Sequence, residues 1–333
     1  IFQYVIYGKE KMMKKNNTLL GASLIVIAAV MWGLDGVLLT PAYFSKFHFY
    51  DVNFIVFIAH AIPTLILSVL FFNQYKELKN FTKNDYIFFM LIALFGGTLG
   101  TLSIVKALQL SEFSKFSIVI LIQKAQPIFA VLLAFFILKE RPSKRFYIIA
   151  AISLIAIYLL TFEFKSPALL PKNNILAAMY SLLAAFSFGS ATVFGKKVVY
   201  KFSFLTSTFY RFFFTTVVTL FFVLFSGNTE KSLGLYFSNG GLISLSMFIA
   251  IFGLIAILIY YNGLKSLTAS ISTFCELAFP LTSVVTEAIV YKRFLSPVQL
   301  VSAVVLIVSI LYLNLGKVKV DIEGIDKVKE ADI

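Results

Sequence analysis

Lys124 and Glu276 stand deep inside long apolar runs, and Gln123 and Gln126 flank the lysine. An ammonium, a carboxylate and two amides can grip both ends of a small charged molecule or exchange a proton with it. The same pair can act as a structural clamp, but two neutral amides add hydrogen-bonding capacity that a clamp does not need. Thr273, Glu276, Pro280, Ser283 and Glu287 recur every three or four residues, so they share one helical face. That face should line water or another polar helix, with Glu287 solvated at one end. Trp32 and Asp35 share a face in the same way, and Asp35 is a candidate proton or cation site. Arg211 offers a planar fork of donors suited to a carboxylate or phosphate, or to a link with Asp35. His60 aligns with it at an offset of 151 residues, either as a coupling group or as a satisfied interior histidine. Tyr260, Tyr261 and Asn262 can supply aromatic walls and hydrogen bonds. Pro127 and Pro280 each remove a backbone hydrogen bond, which permits a kink or hinge beside such a site.

Other chemistries are poorly served. One cysteine, Cys275, and two histidines provide neither a disulfide nor a cysteine or multi-histidine metal cage. No P-loop, glycine-rich dinucleotide turn, zinc motif or ordered Ser/His/Asp set is present, so neither an enzyme nor a cofactor is expected. The net charge of +13 suggests nucleic acid at first sight, but no aromatic-and-basic module accompanies it.

The elements that must carry these residues are set by composition. Of the 333 residues, 59% are hydrophobic and 14% charged. Soluble chains average about 45–50% and about 25%. The surplus must face lipid. Ten apolar stretches predict transmembrane helices over Leu19–Leu39, Asn53–Phe72, Tyr86–Leu108, Ser117–Leu138, Phe146–Phe162, Asn174–Lys196, Leu205–Phe225, Leu242–Leu264, Ala269–Val290 and Pro297–Leu315. Placing the amino end in the cytoplasm puts nineteen of the 29 Lys and Arg residues on that side and seven outside, so both termini are expected there. Residues 1–17 form a cytoplasmic segment, with 1–11 read as an extension upstream of Met12. No cleavable signal peptide is expected, and 316–333 reads as a charged cytoplasmic tail.

The chain also repeats itself. Pro127, Lys139, Ser143 and Leu160 match Pro280, Lys292, Ser296 and Leu313 at an offset of 153, and Trp32-Gly33 finds Phe188-Gly189 at 156. Residues 18–162 and 174–315 are thus two five-helix units. Five is odd, so the second must insert upside down, which is a signature of secondary transporters with a midplane substrate site. At the offset of 153, Gln123 corresponds to Glu276.

Trp32-Gly33, Gln126-Pro127 and Leu138-Lys139-Glu140-Arg141, with Pro280 and Lys292 in the repeat, make the chain similar to EamA-type members of the drug/metabolite transporter superfamily. The resemblance spans nearly everything from Leu19 to Leu315. It departs at Arg293, where the repeated motif usually has Glu. It implies transport of a small metabolite, with export the favoured direction, and leaves the substrate open.

These readings combine into an all-α polytopic membrane protein of ten helices in two inverted repeats. It should carry a small charged or zwitterionic metabolite, such as an amino acid, by alternating access. Lys124 would hold the anionic end and Glu276 the cationic end or a coupled proton. A phosphate-bearing cargo would instead gather Lys124, Arg211 and Lys106. A scaffold that transports nothing would leave Lys124 and Glu276 as a clamp. A bacterial inner membrane is the expected location.

Overall fold

The computed structural model describes residues 2–110, 119, 123, 125–139, 144–162, 164, 172–292 and 296–315, and among these there is no strand. Seven helices are long and apolar enough to cross a membrane: Asn17–Ser45, Val52–Leu70, Lys83–Leu110, Met179–Lys201, Phe204–Phe225, Gly240–Lys265 and Ile271–Tyr291. Helix also occupies the described parts of the three other expected positions, at Gln126–Leu133, Lys144–Phe162 and Pro297–Leu315. A lipid interior offers backbone groups no water, so helix is the form in which each segment satisfies its own N–H and C=O groups.

The helices are α1 (Phe2–Leu34), α2 (Thr40–Ser45), α3 (Val52–Leu70), α4 (Lys83–Leu91), α5 (Gly100–Leu110), α6 (Gln126–Leu133) and α7 (Lys144–Phe162). They continue with α8 (Lys172–Lys201), α9 (Phe204–Phe225), α10 (Thr229–Phe237), α11 (Gly240–Lys265), α12 (Ala269–Cys275), α13 (Ala278–Tyr291) and α14 (Pro297–Leu315). Their starts are written in polar side chains. Asp51, Ser203, Asn239 and Thr268 each accept from a backbone N–H of the first turn that follows. Thr82 and Asp85 form a reciprocal capping box. Wider π-helical turns at Asp35–Leu39 and Ile92–Leu99 join α1 to α2 and α4 to α5.

Apolar side chains point outward as well as inward. Leu65, Val69, Phe225 and Ile289 are 67%, 79%, 85% and 65% exposed, which only a lipid surround makes favourable. The multi-pass membrane character expected from composition therefore stands.

Packing follows the sequence repeat. Helix α1 lies against α11 and α13, while α8 lies against α5 and α6. Helix α3 packs on α9, and α7 on α14. Exchanging helices by the 153–156 offset turns the contacts of α1 into those of α8 and leaves the α3–α9 and α7–α14 pairs as they are. Two close approaches repeat as well. A Cβ on Gly33 would fall 2.8 Å from the Phe279 carbonyl, and one on Gly189 would fall 2.8 Å from the Gln126 carbonyl. Lys139 and Lys292, also equivalent, both end their helices in the left-handed region, at φ 55° and 57°.

A close backbone approach joins α1 to α11. A Cβ on Gly263 would lie 2.5 Å from the Gly21 carbonyl oxygen and 2.9 Å from Ile25 Cγ1. Gly263→Leu must therefore push the two helices apart, and overpacking of this kind costs about 1–3 kcal/mol or more. The expected result is a lower apparent Tm and a smaller monodisperse fraction after purification. Gly253→Leu on the same helix, where a Cβ meets nothing within 4 Å, should leave both unchanged.

One lysine, counted on the cytoplasmic side at the expected end of a span, lies inside the fold. Helix α8 runs to Lys201, five residues past the expected end at Lys196. Lys196 is consequently inside, 2% exposed, and its Nζ donates to the Leu264 and Lys265 carbonyls at 2.7 and 3.1 Å. A cation there meets the negative, unsatisfied end of α11.

Candidate functional site

Four helices deliver polar groups to one place. Glu276 follows α12 directly, where the chain breaks for Glu276 and Leu277 before α13 begins. Its Oε2 accepts from Gln126 Nε2 at 2.5 Å, and Gln126 Oε1 accepts from Gln123 Nε2 at 3.0 Å. On the other side, Tyr260 Oη of α11 lies 2.9 Å from Glu276 Oε1 and 3.1 Å from Thr192 Oγ1 of α8. Thr192 itself lies 3.4 Å from Glu276 Oε1. The Trp32 ring of α1 leans on Tyr260, with centroids 5.3 Å apart and planes at 51°.

Gln123, Gln126, Glu276 and Tyr260 are all buried, at 9% exposure or less, and Trp32 forms the half-buried edge. Polar groups this deep must be hydrogen-bonded or they destabilise the fold. One is not: Gln123 Oε1 is buried and has no hydrogen-bond partner among the described residues. The cluster thus presents a carboxylate and an open amide oxygen, both acceptors, beside two aromatic rings.

The sequence placed Glu276, Gln123, Gln126, Trp32 and Tyr260 in one site, and the fold brings these five side chains together. Lys124 lies outside the described residues. Asn262 does not join them: it is exposed, because helix α11 turns Tyr260 and Tyr261 inward and carries the next residue round to the outer face. Asp35 accepts from Thr40 Oγ1 at 3.0 Å in the π-helical turn after α1. His60 uses Nδ1 on its own helix, 2.8 Å from the Val56 carbonyl, and packs on Phe212. That is the satisfied interior histidine rather than a member of the cluster. Lys106 is exposed and donates to Gln109 at 2.9 Å, so it does not converge with Arg211.

The prolines also act differently from a mid-span kink. Pro127 and Pro280 occupy the first turns of α6 and α13. A missing N–H costs nothing there, since the first-turn N–H groups have no helical partner anyway. Thr192 escaped the sequence reading. A threonine in a helix rich in Ala, Ser and Gly carries no spacing signal, and its one hint is its place a turn after Phe188-Gly189, the counterpart of Trp32-Gly33.

A carboxylate at a local irregularity of a spanning helix, bonded to a side chain from the other half of the chain, is in keeping with a transporter's polar site between its halves. Comparison with known proteins agrees. The curated "Riboflavin transporter ImpX" of Fusobacterium nucleatum subsp. nucleatum is 44% identical over 301 residues, covering 90% of this chain and 99% of that protein. A crystal structure of another protein, only 13% identical, shares the fold with a TM-score of 0.59 over 88% of this chain and 95% of that one. The EamA-like transporter family matches residues 19–162 and again 175–315, one match for each repeated unit, and the chain belongs to that family.

Proposed function

We propose that the protein carries riboflavin, or a closely related flavin, across a bacterial inner membrane. The observation that carries this reading is the 44% identity along 99% of a relative named as a riboflavin transporter. The chemistry of the cluster supports it. Riboflavin is a neutral tricyclic ring with one ring N–H between two carbonyls and a chain of hydroxyls. Its donors suit Glu276 and the open Gln123 Oε1, and its flat ring suits Trp32 and Tyr260. The sealed state of the cluster fits an occluded stage of a transport cycle, in which the cargo enters when the helices part.

The architecture we propose has ten spans in two inverted five-helix units, 18–162 and 174–315, with both termini cytoplasmic. The paired approaches at Gly33 and Gly189, the paired left-handed lysines and the double family match support it. Alternating access would move one unit against the other about the breaks before Pro127 and Pro280. Asp35 and Glu276 are the proposed coupling sites for a proton or another cation.

A small zwitterion such as an amino acid is the second reading, and Glu276 on one side with Arg211 on the other favours it. A titration of detergent-purified protein separates the two. Stacking on Trp32 should quench flavin fluorescence, so the flavin reading predicts saturable quenching by the protein that unlabelled amino acids do not reverse. Amino acids that raise the Tm while riboflavin neither quenches nor stabilises would reverse the choice.

A further inference from the structure

Arg211 is a cation with no acceptor among the described residues. It lies one third of the way along α9, half-buried, and makes no ion pair or hydrogen bond among the described residues. Its Nε is fully enclosed and without a partner. The contact it has is with a ring: the guanidinium carbon stands 5.9 Å from the Tyr261 centroid. An aromatic face attracts a cation but is no acceptor for the in-plane N–H groups of a guanidinium. A guanidinium inside a span is costly without acceptors, and by default it marks a site.

The residues packed beside it are small. The facing segment is the π-helical turn Ile92–Leu99, and wide turns of this kind gather at functional sites. At its centre Gly96 has no side chain, and a Cβ there would lie 3.2 Å from Arg211 Nη1 and 2.6 Å from Ala191 Cβ. Ala191 precedes Thr192, so the guanidinium reaches the helix that supplies the Glu276 cluster. Tyr261 and Tyr260, with rings 5.7 Å apart and perpendicular, separate the two. Glu276 offers an acceptor beside Tyr260, and Arg211 offers only donors beside Tyr261.

We propose that Arg211 is the second anchor of the cargo site, taking a pair of acceptor atoms from the cargo and so fixing which way round it binds. The inference rests on the flavin reading given above. Two parts of a flavin offer such a pair: the ring edge, through its N1 and the adjacent carbonyl, and a phosphate on the end of the chain. If the ring edge meets Arg211, the chain hydroxyls donate to Glu276. If a phosphate meets it, the ring N–H faces Gln123 and Glu276. A guanidinium fork matches either pair, whereas a lysine ammonium supplies the charge without the fork.

The test is a fluorescence titration of the purified full chain with riboflavin, flavin mononucleotide and lumiflavin, which keeps the ring but lacks the hydroxyl chain. Parent, Arg211→Gln and Arg211→Lys are compared, with the Tm of each unliganded protein. Arg211→Gln should weaken riboflavin or flavin mononucleotide by at least about tenfold, as loss of a charged hydrogen-bonding partner does. Its Tm should be equal or higher, because an unpaired buried charge has been removed. Arg211→Lys should fall between the two. An equal loss for riboflavin and lumiflavin places the ring edge at Arg211. A loss confined to flavin mononucleotide places the phosphate there. All three flavins binding Arg211→Gln as tightly as the parent overturns the proposal alone. So does a fall in Tm that accounts for the lost binding and that Arg211→Lys does not restore. A parent protein that binds no flavin overturns this inference and the flavin reading together.

Discussion

Glu276→Ala should cost the folded protein about 3 kcal/mol or more and remove measurable flavin binding. Three donors converge on the carboxylate, from Gln126, Tyr260 and Thr192. Removing it leaves Gln126 Nε2 without its acceptor, while Tyr260 keeps Thr192 Oγ1 and Thr192 keeps the Phe188 carbonyl, so the lost bonds cost about 1–3 kcal/mol in addition to the cavity left behind. Glu276→Gln is the gentler probe. It keeps the shape and one acceptor oxygen, but sets an NH2 group where a donor already points. Its expected outcome is a folded protein with a modest loss of Tm and flavin binding weakened by about ten- to a hundredfold, since the charge-assisted bonds are gone. A binding titration beside a thermal melt separates the two effects. Flavin affinity that survives Glu276→Gln unchanged would make the carboxylate a clamp between helices and nothing more.

The second large effect concerns Lys196. Replacing it by Met keeps the length and apolar stem but withdraws both hydrogen bonds from the end of α11. Two carbonyls are then left in a buried position, and the favourable meeting of a cation with the helix terminus is lost. Those terms together amount to about 2–5 kcal/mol. The expected result is a marked fall in Tm with no change in which flavins are recognised. An unchanged Tm would show that water replaces the ammonium at little cost. The nearby ion pair of Lys201 with Asp85 at 2.5 Å should matter far less, because the lysine side chain is 43% exposed.

How far the sequence could be read depended on whether a residue's meaning is local. The apolar runs and their breaks are local, and they located helices close to where they occur. Depth in a span is nearly local too. Glu276, Gln123 and Gln126 stand out because polar groups do not belong at such positions, and the repeat tied Gln123 to Glu276. Trp32 came from the helix face it shares with Asp35, and Tyr260 from its fitness as an aromatic wall. What failed depends on helix rotation and helix end. Asn262 looked equivalent to Tyr260 and Tyr261, yet one residue is a turn of about 100°, enough to move a side chain from the interior to the surface. Lys196 looked like a cytoplasmic lysine at the end of a span because a count of charges has no means of knowing that α8 runs on to Lys201.

Thr192 and the setting of Arg211 were out of reach for another reason. Each acquires its role from partners far away in the chain: Thr192 from Tyr260 and Glu276, Arg211 from Tyr261 and the turn around Gly96. No spacing within one helix encodes those meetings. They follow from how α8, α9 and α11 cross, and the crossings are set by glycines whose importance is visible only once the opposite backbone is in place. The prolines show the same limit. Pro127 and Pro280 were legible as breaks, but not as the first turns of new helices that leave Glu276 at a gap.

The central claim, a flavin carrier built around the Glu276 cluster, is tested most directly by transport itself. Purified protein is reconstituted into liposomes loaded with unlabelled riboflavin, and uptake of labelled riboflavin is followed against empty liposomes. The same vesicles preloaded with label and diluted report efflux, the direction expected from the family resemblance. Saturable exchange by the parent protein, reduced at least about tenfold in Glu276→Gln at equal reconstitution, is the predicted result. Riboflavin movement no faster than in protein-free liposomes would contradict the account.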